Sequence, residues 1–248
     1  MPNSNSFKII KYKFGNIYRA ISSPWLQKNF KVEDISNIFG SSFGSNGWHP
    51  IIKTLQEYDS DPEIKIEKTS LWSFHKKFLP KSITMFTGKE INTSLPTFIY
   101  PWGNFNNGLE TSDKNQYLSR FCGPSSDEFI NDEYERIISL YKSLRAYGYT
   151  PKKYPHSYIG GTILKKNDGQ SKFIVMQGNH RTAIFSHLGY TNLDVRLIPN
   201  SINYVLEKDL YKWIMVKNRV CTENEAIKIF NLFFEEDGSH IYNVINSS

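Results

Sequence analysis

The segment 173–198 constrains the fold of this chain more than any other part of the sequence. It begins with a short apolar run, 173–176, which has the length of a buried strand rather than of a helix. A sharp turn at 177–179 follows, and then an amphipathic segment, 182–188, which a glycine would end. Residues 193–198 alternate apolar and polar side chains, as a half-buried strand does. The pattern predicts a strand–turn–helix–strand unit.

The turn at 177–179 and the residues after it combine the groups with which proteins bind phosphate. Backbone N–H groups at a helix N-terminus, together with the helix dipole, favour an anion by about 0.3–2 kcal/mol. His180 adds an imidazole, and Arg181 adds a guanidinium that can form a forked, charge-assisted pair with phosphate oxygens. The alternative is a structural turn whose side chains satisfy their neighbours. The predicted phosphate-binding residues are Gly178, Asn179, His180, Arg181 and Thr182.

A long helix and a strand are predicted before this unit. Apolar residues recur at helical spacing on one face of 127–147, and Gly148 would end that helix. Ser125 and Glu128 have the spacing of a capping box at its start. Residues 158–164 have the composition of a strand.

The stretch QGNHRTAIFSHLGYTNLDVRLI, 177–198, resembles the nucleotide-phosphate motif of the ParB/sulfiredoxin superfamily, in which a strand enters a Gly-x-(His or Arg)-Arg turn and a helix. The helix and strand before it are similar to the first box of that superfamily. The resemblance covers residues 127–199, about a third of the chain. Members include CTP-hydrolysing DNA-segregation proteins, sulfiredoxins and free-serine kinases, which share nucleotide phosphate bound at this turn. The resemblance implies a nucleotide such as ATP or CTP, and no particular reaction.

Departures from the motif disfavour some of the reactions known in the superfamily. Sulfiredoxins attack through a cysteine at the position that Asn179 occupies here, so their chemistry is disfavoured. The segregation CTPases carry Gly-Glu-Arg-Arg and a helix-turn-helix DNA reader after the core, for which the segment after Pro199 leaves little room. The free-serine kinases have His before His-Arg, so Asn179 departs from them too, although His180 and Arg181 are kept.

The leading hypothesis is a nucleotide-dependent phosphotransferase acting on a hydroxylated small acceptor, such as a sugar or a glycan intermediate. Phosphoryl transfer requires alignment and charge stabilisation, for which Arg181 and His180 are the catalytic candidates. Mg²⁺ would bridge the phosphates and take few protein ligands, which the sequence does not identify. In kinases of the superfamily an acidic residue positions the metal or takes the acceptor's proton. Glu133 or Glu135 would do so if their helix approaches Arg181.

Two competing functions stay open. One is a nucleotide-binding switch without transfer chemistry, and the other is a DNA-associated ParB-like protein or nuclease. The net charge of +6 comes from scattered Lys and Arg, which favours a solvated basic surface, so nucleic acid is not expected as a partner. The oligomeric state cannot be read from the sequence.

Residues 100–126 form a second candidate region, rich in the turn sequences PWG and CGP. A loop before a well-capped helix explains them. The functional interpretation is that Arg120, Cys122 and Ser125 contact substrate at a second helix N-terminus facing Gly178. The PWG and SRFCGP stretches also resemble uncharacterised proteins encoded near surface-glycan synthesis enzymes, which points only to a substrate class.

Cysteine content and hydropathy set broad limits on the compartment. Cys122 and Cys221 give neither a disulfide framework nor a metal-ligand spacing. No run approaches the ~18 apolar residues that span a membrane, and the N-terminus lacks the apolar region of a signal peptide. A cytoplasmic protein without a membrane span is therefore expected.

The predicted fold class is α+β, and three segments are expected. These are an aromatic-rich and substrate-facing N-terminal region at 1–115, a ParB/sulfiredoxin-like nucleotide-binding core at 116–200, and a C-terminal helical tail at 201–248 with one clear helix at 222–235.

Smaller elements are expected within these segments. Residues 32–40 are predicted as a short helix, and 54–58 and 71–78 as short amphipathic elements. The Gly- and Ser-rich segment 40–50 is predicted as a surface loop whose Trp48 and His49 are candidate substrate contacts. His156 and His187 are expected to be structural or on the surface.

Overall fold

The structure is a computed structural model that describes residues 27–80, 88–89, 91, 95, 100–103, 122–149, 158–198 and 201–246. Within these ranges helices cover a mixed sheet, so the predicted α+β class is confirmed. None of the helices described is long and apolar enough to cross a membrane.

The elements are numbered in chain order. The strands are β1 (Gln27–Lys31), β2 (Ile35–Asn37), β3 (Ile159–Lys165), β4 (Ser171–Gln177), β5 (Asn192–Leu197) and β6 (Tyr204–Leu206). The α-helices of the described ranges are α1 (Pro50–Ser60), α2 (Ser70–Lys77), α3 (Asp127–Tyr147), α4 (Asn179–His187), α5 (Ile214–Lys217), α6 (Glu223–Glu235) and α7 (Ser239–Asn246).

The strands form one six-stranded sheet in the order β1-β5-β3-β4-β2, with β6 also paired to β3. β3 and β4 are antiparallel neighbours, whereas β2 runs parallel to β4 and β5 runs parallel to β3. β1 and β2 come from the predicted N-terminal region and β6 from the predicted tail. All three predicted segments therefore contribute strands to the same sheet.

Helices cover both faces of the sheet because side chains alternate along its central strands. On β4, Phe173 and Val175 lie in one core cluster with side chains of α1, α3 and α4. Ile174, between them, lies in a second cluster with α6 and the buried Trp102 and Trp213. This three-layer packing fixes α4 against the sheet.

The predicted strand–turn–helix–strand unit is present as β4, Gly178, α4 and β5. The helix starts at Asn179, three residues before the predicted start, because Gly178 adopts a left-handed conformation with φ of 95°. His180 and Arg181 therefore belong to the first turn of the helix rather than to the turn before it. Gly189, with φ of 82°, follows the end of the helix as predicted.

Two other helices are confirmed, with one correction to a cap. α3 ends at Gly148 as predicted, but its N-cap is Ser126, whose side chain accepts from the Phe129 amide at 3.1 Å. Ser125 does not cap the helix. α6 follows Thr222, which forms the full capping box with Glu225. The short element at 54–58 falls within α1, and the element at 71–78 corresponds to α2 and its C-cap, Phe78.

Two predictions in the N-terminal region are wrong. Residues 32–40 contain a 3-10 turn, Val32–Asp34, and the strand β2, because pairing with β4 overrides local propensity. Segment 40–50 is largely buried rather than a surface loop. Its glycines serve close packing, since a Cβ on Gly47 would lie 2.8 Å from the Ser42 carbonyl oxygen.

Candidate functional site

A cleft of about 740 Å³ opens where the parallel strands β2 and β4 end side by side. Ligands of α/β proteins commonly bind at the carboxyl ends of such strands. The chain after β2 and the N-terminal ends of α1 and α4 line this cleft, with α2 and the middle of α3. Its polar or charged lining residues are Asn37, Ser41, His49, His75, Glu133, Arg136, Asn179, His180 and Arg181.

The N-terminus of α4 lies at the cleft, as the motif predicted. Gly178, Asn179, His180 and Arg181 all line it, and no side chain caps the helix at Gly178. N–H groups in a first helical turn lack intrahelical acceptors and lie at the positive end of the dipole. A Cβ on Gly178 would lie 3.2 Å from Arg181 Nη2, so glycine leaves room for the guanidinium beside the turn.

The side chains of Arg181, Thr182 and Asn179 differ in their environments. Burial lowers the pKa of Arg181 from its usual value, but a guanidinium stays charged at neutral pH. Thr182 is fully buried, does not line the cleft, and donates its hydroxyl to the Gly178 carbonyl at 3.0 Å. Asn179 Oδ1 is buried and has no hydrogen-bond partner among the described residues.

Glu133 and His180 form a close pair inside the cleft. Glu133 Oε1 lies 2.5 Å from His180 Nε2, and Glu133 Oε2 lies 3.1 Å from Arg136 Nη1. Burial by itself raises the pKa of Glu133, but the hydrogen bond and charge of His180, with Arg136 and His75, more than offset it. The pKa of this carboxyl group therefore lies below its ordinary value, and the group is ionised at neutral pH.

The contacts of Glu133 determine which nitrogen of neutral His180 carries the proton. Both oxygens of Glu133 are engaged by protein groups, so the carboxylate orients His180. In neutral His180 the proton then lies on Nε2, and Nδ1 is the nitrogen left to accept a proton. Glu133 therefore holds the His180 ring in one orientation.

Glu135 lies elsewhere. It is exposed on α3 and does not line the cleft, because residues two apart on a helix point in different directions. The structure brings only one of the two candidate acids to His180.

The described residues of the predicted second loop do not line the cleft. Cys122 is packed in a core cluster with Trp48 and Phe78, and burial raises its thiol pKa to about 11, so it is no nucleophile at neutral pH. Ser125 Oγ lies 3.1 Å from His75 Nδ1, so it contacts the ring of a residue that lines the cleft. Arg120, like His156, lies outside the described residues.

His49 lines the cleft, as the sequence allowed, whereas Trp48 is packed in the core cluster of α2 and α7. Asn37, Ser41 and His75 are lining residues that the sequence analysis missed. Reading 35–37 as a strand parallel to β4 would have placed Asn37 at the carboxyl end, where ligand-binding residues collect.

His187 is partly buried and lies away from the cleft. Its Nε2 is 2.8 Å from Asp59 Oδ2, and the Tyr141 hydroxyl donates to the same carboxylate at 2.8 Å. This network joins α1, α3 and α4, which agrees with a structural role.

Glu133 is the only carboxylate among the described lining residues, and its oxygens are already held by His180 and Arg136. The described ranges also contain no cluster of three or more His, Cys, Asp or Glu that could hold a metal ion. These residues do not fit a protein-held Mg²⁺. An ion that arrives with a nucleotide would keep phosphate oxygens and water as its ligands.

Comparisons with known proteins leave the geometry of the cleft as the basis for a functional assignment. None of the family models, curated proteins or solved structures that were compared matches this chain. The fold and site together define an α+β protein with a polar cleft at the carboxyl ends of two parallel strands.

Two buried histidines in the cleft predict a marked pH dependence of stability. Burial, with the charge of His180, lowers the pKa of His49 from 6.5 to about 3. Burial also lowers the pKa of His75 from 6.5 to about 4, although Glu133 opposes the shift. Unfolded histidines bind protons below pH 6.5 and these two do not, so the free energy of unfolding falls as the pH drops. Between pH 6.5 and 5 each contributes a loss of about 1.6 kcal/mol.

Urea unfolding of wild type and His49→Asn at pH 6.5, 5.75 and 5 tests this expectation. Asparagine keeps an N-cap acceptor for α1 and removes the titrating ring. We expect the variant to lose clearly less stability than wild type over this interval. Parallel losses in the two proteins would show that His49 is not held neutral by burial.

Proposed function

We propose that the protein is a nucleotide-dependent phosphotransferase that passes a phosphoryl group from ATP or CTP to a hydroxylated acceptor, such as a sugar or glycan intermediate. One observation carries this proposal. The Glu133–His180 pair, the Arg181 guanidinium and the N-terminus of α4 meet in one cleft. The resemblance of residues 177–198 to the phosphate motif of the ParB/sulfiredoxin superfamily supports it.

The phosphate end of the donor would lie at the start of α4. Gly178 allows close approach of the backbone, and the first-turn N–H groups supply donors to phosphate oxygens. Arg181 adds a positive charge whose attraction to phosphate becomes stronger as water is excluded from the cleft. The guanidinium would stabilise the charge on the transferring group. The cleft volume falls within the range of about 300–1,000 Å³ that ligand sites occupy.

The acceptor would be activated by the pair on the wall formed by α3 and α4. His180 Nδ1 takes the proton of the acceptor hydroxyl while that oxygen forms a bond to the terminal phosphorus. The bond from phosphorus to the bridging oxygen breaks, and the nucleoside diphosphate leaves with the electron pair. Glu133 holds the ring in place and stabilises the imidazolium that forms.

A transfer assay on wild type and His180→Gln tests the proposal. Each protein is incubated with ATP or CTP, Mg²⁺ and a panel of sugars and polyols, and phosphorylated products are measured by mass spectrometry. Glutamine can still donate to Glu133 but cannot take a proton, so we expect kcat to fall at least about a hundredfold. His187→Gln, on the same helix and outside the cleft, is the matched control and should retain activity.

The outcome separates the proposal from its main competitor. Product formation by wild type, lost in His180→Gln and kept in His187→Gln, supports the phosphotransferase. Saturable nucleotide binding without product from any acceptor would instead favour a nucleotide-binding switch that uses the same contacts.

A further inference from the structure

One wall of the cleft carries polar groups that the transfer step does not use. It consists of Asn37 at the end of β2, Ser41 in the loop after β2, and His49 before α1. All three side chains are at most 9% exposed, yet all three line the cleft. Their hydrogen bonds decide what kind of ligand this wall can take.

The Asn37 amide is held in one orientation. Its Oδ1 accepts the Phe39 amide at 2.9 Å and the Ser41 amide at 3.0 Å, which closes the loop after β2. With the oxygen engaged twice, the NH₂ group must face away from these two amides. No hydrogen bond joins Nδ2 to a described residue. The side chain therefore offers the cleft a fixed donor.

His49 is a second fixed donor. Its Nδ1 accepts the Ile51 amide at 3.3 Å and so caps α1. This bond places the ring proton on Nε2, which is not bonded to a described residue. Protonation of Nδ1 would break the cap, so the ring stays neutral.

Ser41 lines the same wall but offers no group to a ligand. The residue is fully buried, and its Oγ makes no hydrogen bond within the described part of the chain. This Oγ has almost no accessible surface, and it would lie 3.1 Å from a Cβ on Gly238. A ligand in the cleft does not reach the hydroxyl, so recognition at this wall depends on Asn37 and His49.

We propose that Asn37 and His49 form a subsite that recognises the hydroxyl groups of an uncharged sugar or polyol. Both groups are neutral, and a carboxylate bound to them would lose hydration without gaining a countercharge. The cations Arg136 and Arg181 lie on α3 and α4, not on this wall. That the bound sugar is the phosphoryl acceptor rests on the proposed function, but its binding does not.

Binding is measured without nucleotide, by saturation-transfer NMR on the full chain. The probes are neutral compounds, including glucose, N-acetylglucosamine and ribitol, and charged ones, including glucuronate and serine. Asn37→Asp keeps the oxygen that closes the loop and removes the donor. Ser36→Ala is the matched control, since Ser36 precedes Asn37 on the same strand and is buried but does not line the cleft.

At least one neutral probe should bind wild type and Ser36→Ala equally. Its affinity should fall about tenfold in Asn37→Asp, as expected for one lost hydrogen bond. Thermal unfolding of each variant checks that it is folded. Binding of charged probes alone, no binding by any probe, or equal affinity in folded wild type and Asn37→Asp would overturn the proposal. Sugar binding that persists without any nucleotide binding would instead count against the phosphotransferase while leaving the subsite intact.

Discussion

Replacing Gly161 with alanine is expected to destabilise the fold by more than about 3 kcal/mol, a large share of the 5–15 kcal/mol typical of a domain. A Cβ at this position would lie 2.0 Å from the Ile174 carbonyl oxygen and 2.7 Å from Phe173 Cζ. Both contacts belong to β4, which is paired on both sides and cannot withdraw. Urea unfolding monitored by circular dichroism measures the loss of stability. Failure to obtain folded protein would be the largest loss of this kind.

Gly160→Ala is the matched control on the same strand. Its Cβ would meet Ile198 Cγ1 at 3.1 Å and Gln177 Oε1 at 3.4 Å, which are side-chain atoms that can turn away. We expect a cost of about 1 kcal/mol or less. Equal costs at the two glycines would contradict the close approach of β3 and β4 on which the position of the cleft depends.

Replacing Arg181 with alanine should weaken nucleotide binding by roughly 30- to 5,000-fold, equivalent to about 2–5 kcal/mol. The guanidinium is largely withdrawn from solvent beside the start of α4, so a phosphate there interacts with a weakly screened charge. Arg181→Lys keeps the charge and loses the fork, so its affinity should lie between those of wild type and alanine.

Titration calorimetry with ATP and CTP measures these affinities. Lys228→Ala, which removes an exposed charge on α6 far from the lining residues, controls for a general loss of positive charge. It should bind as wild type does. If Arg181→Ala and Lys228→Ala bound nucleotide equally well, Arg181 would not contact phosphate.

Local patterns in the sequence were sufficient to predict the unit that forms one side of the cleft. The helix α3 and the unit β4–α4–β5 follow from apolar periodicity and from the helix boundaries at Gly148, Gly178 and Gly189. Each of these signals depends only on residues close in sequence. His180 and Arg181 were therefore expected beside the start of this helix, and they lie in its first turn. The proximity of these two side chains to Glu133 could not be predicted from a local pattern, because it depends on how α3 packs against α4.

The other side of the cleft depends on contacts distant in sequence. β2 has only three residues, and it is a strand because Ile35 pairs with Phe173 far along the chain. The burial of His49 follows from the packing of segment 40–50, whose Gly- and Ser-rich composition is typical of surface loops. Glu133 is a charged residue outside the apolar periodicity of α3, and it can be buried because His180 and Arg136 satisfy its carboxylate.

The central claim is that the start of α4 holds nucleotide phosphate, and the most direct test is thermal unfolding with and without ligand. Wild type and Arg181→Ala are each heated alone and with ATP, CTP or GTP in the presence of Mg²⁺. Binding to the folded state at a hundred times the dissociation constant adds about 2.7 kcal/mol to stability. We expect at least one nucleotide to raise the Tm of wild type and to leave that of Arg181→Ala unchanged. An unchanged Tm of wild type with all three nucleotides would contradict the claim and would make the 177–182 turn a structural feature.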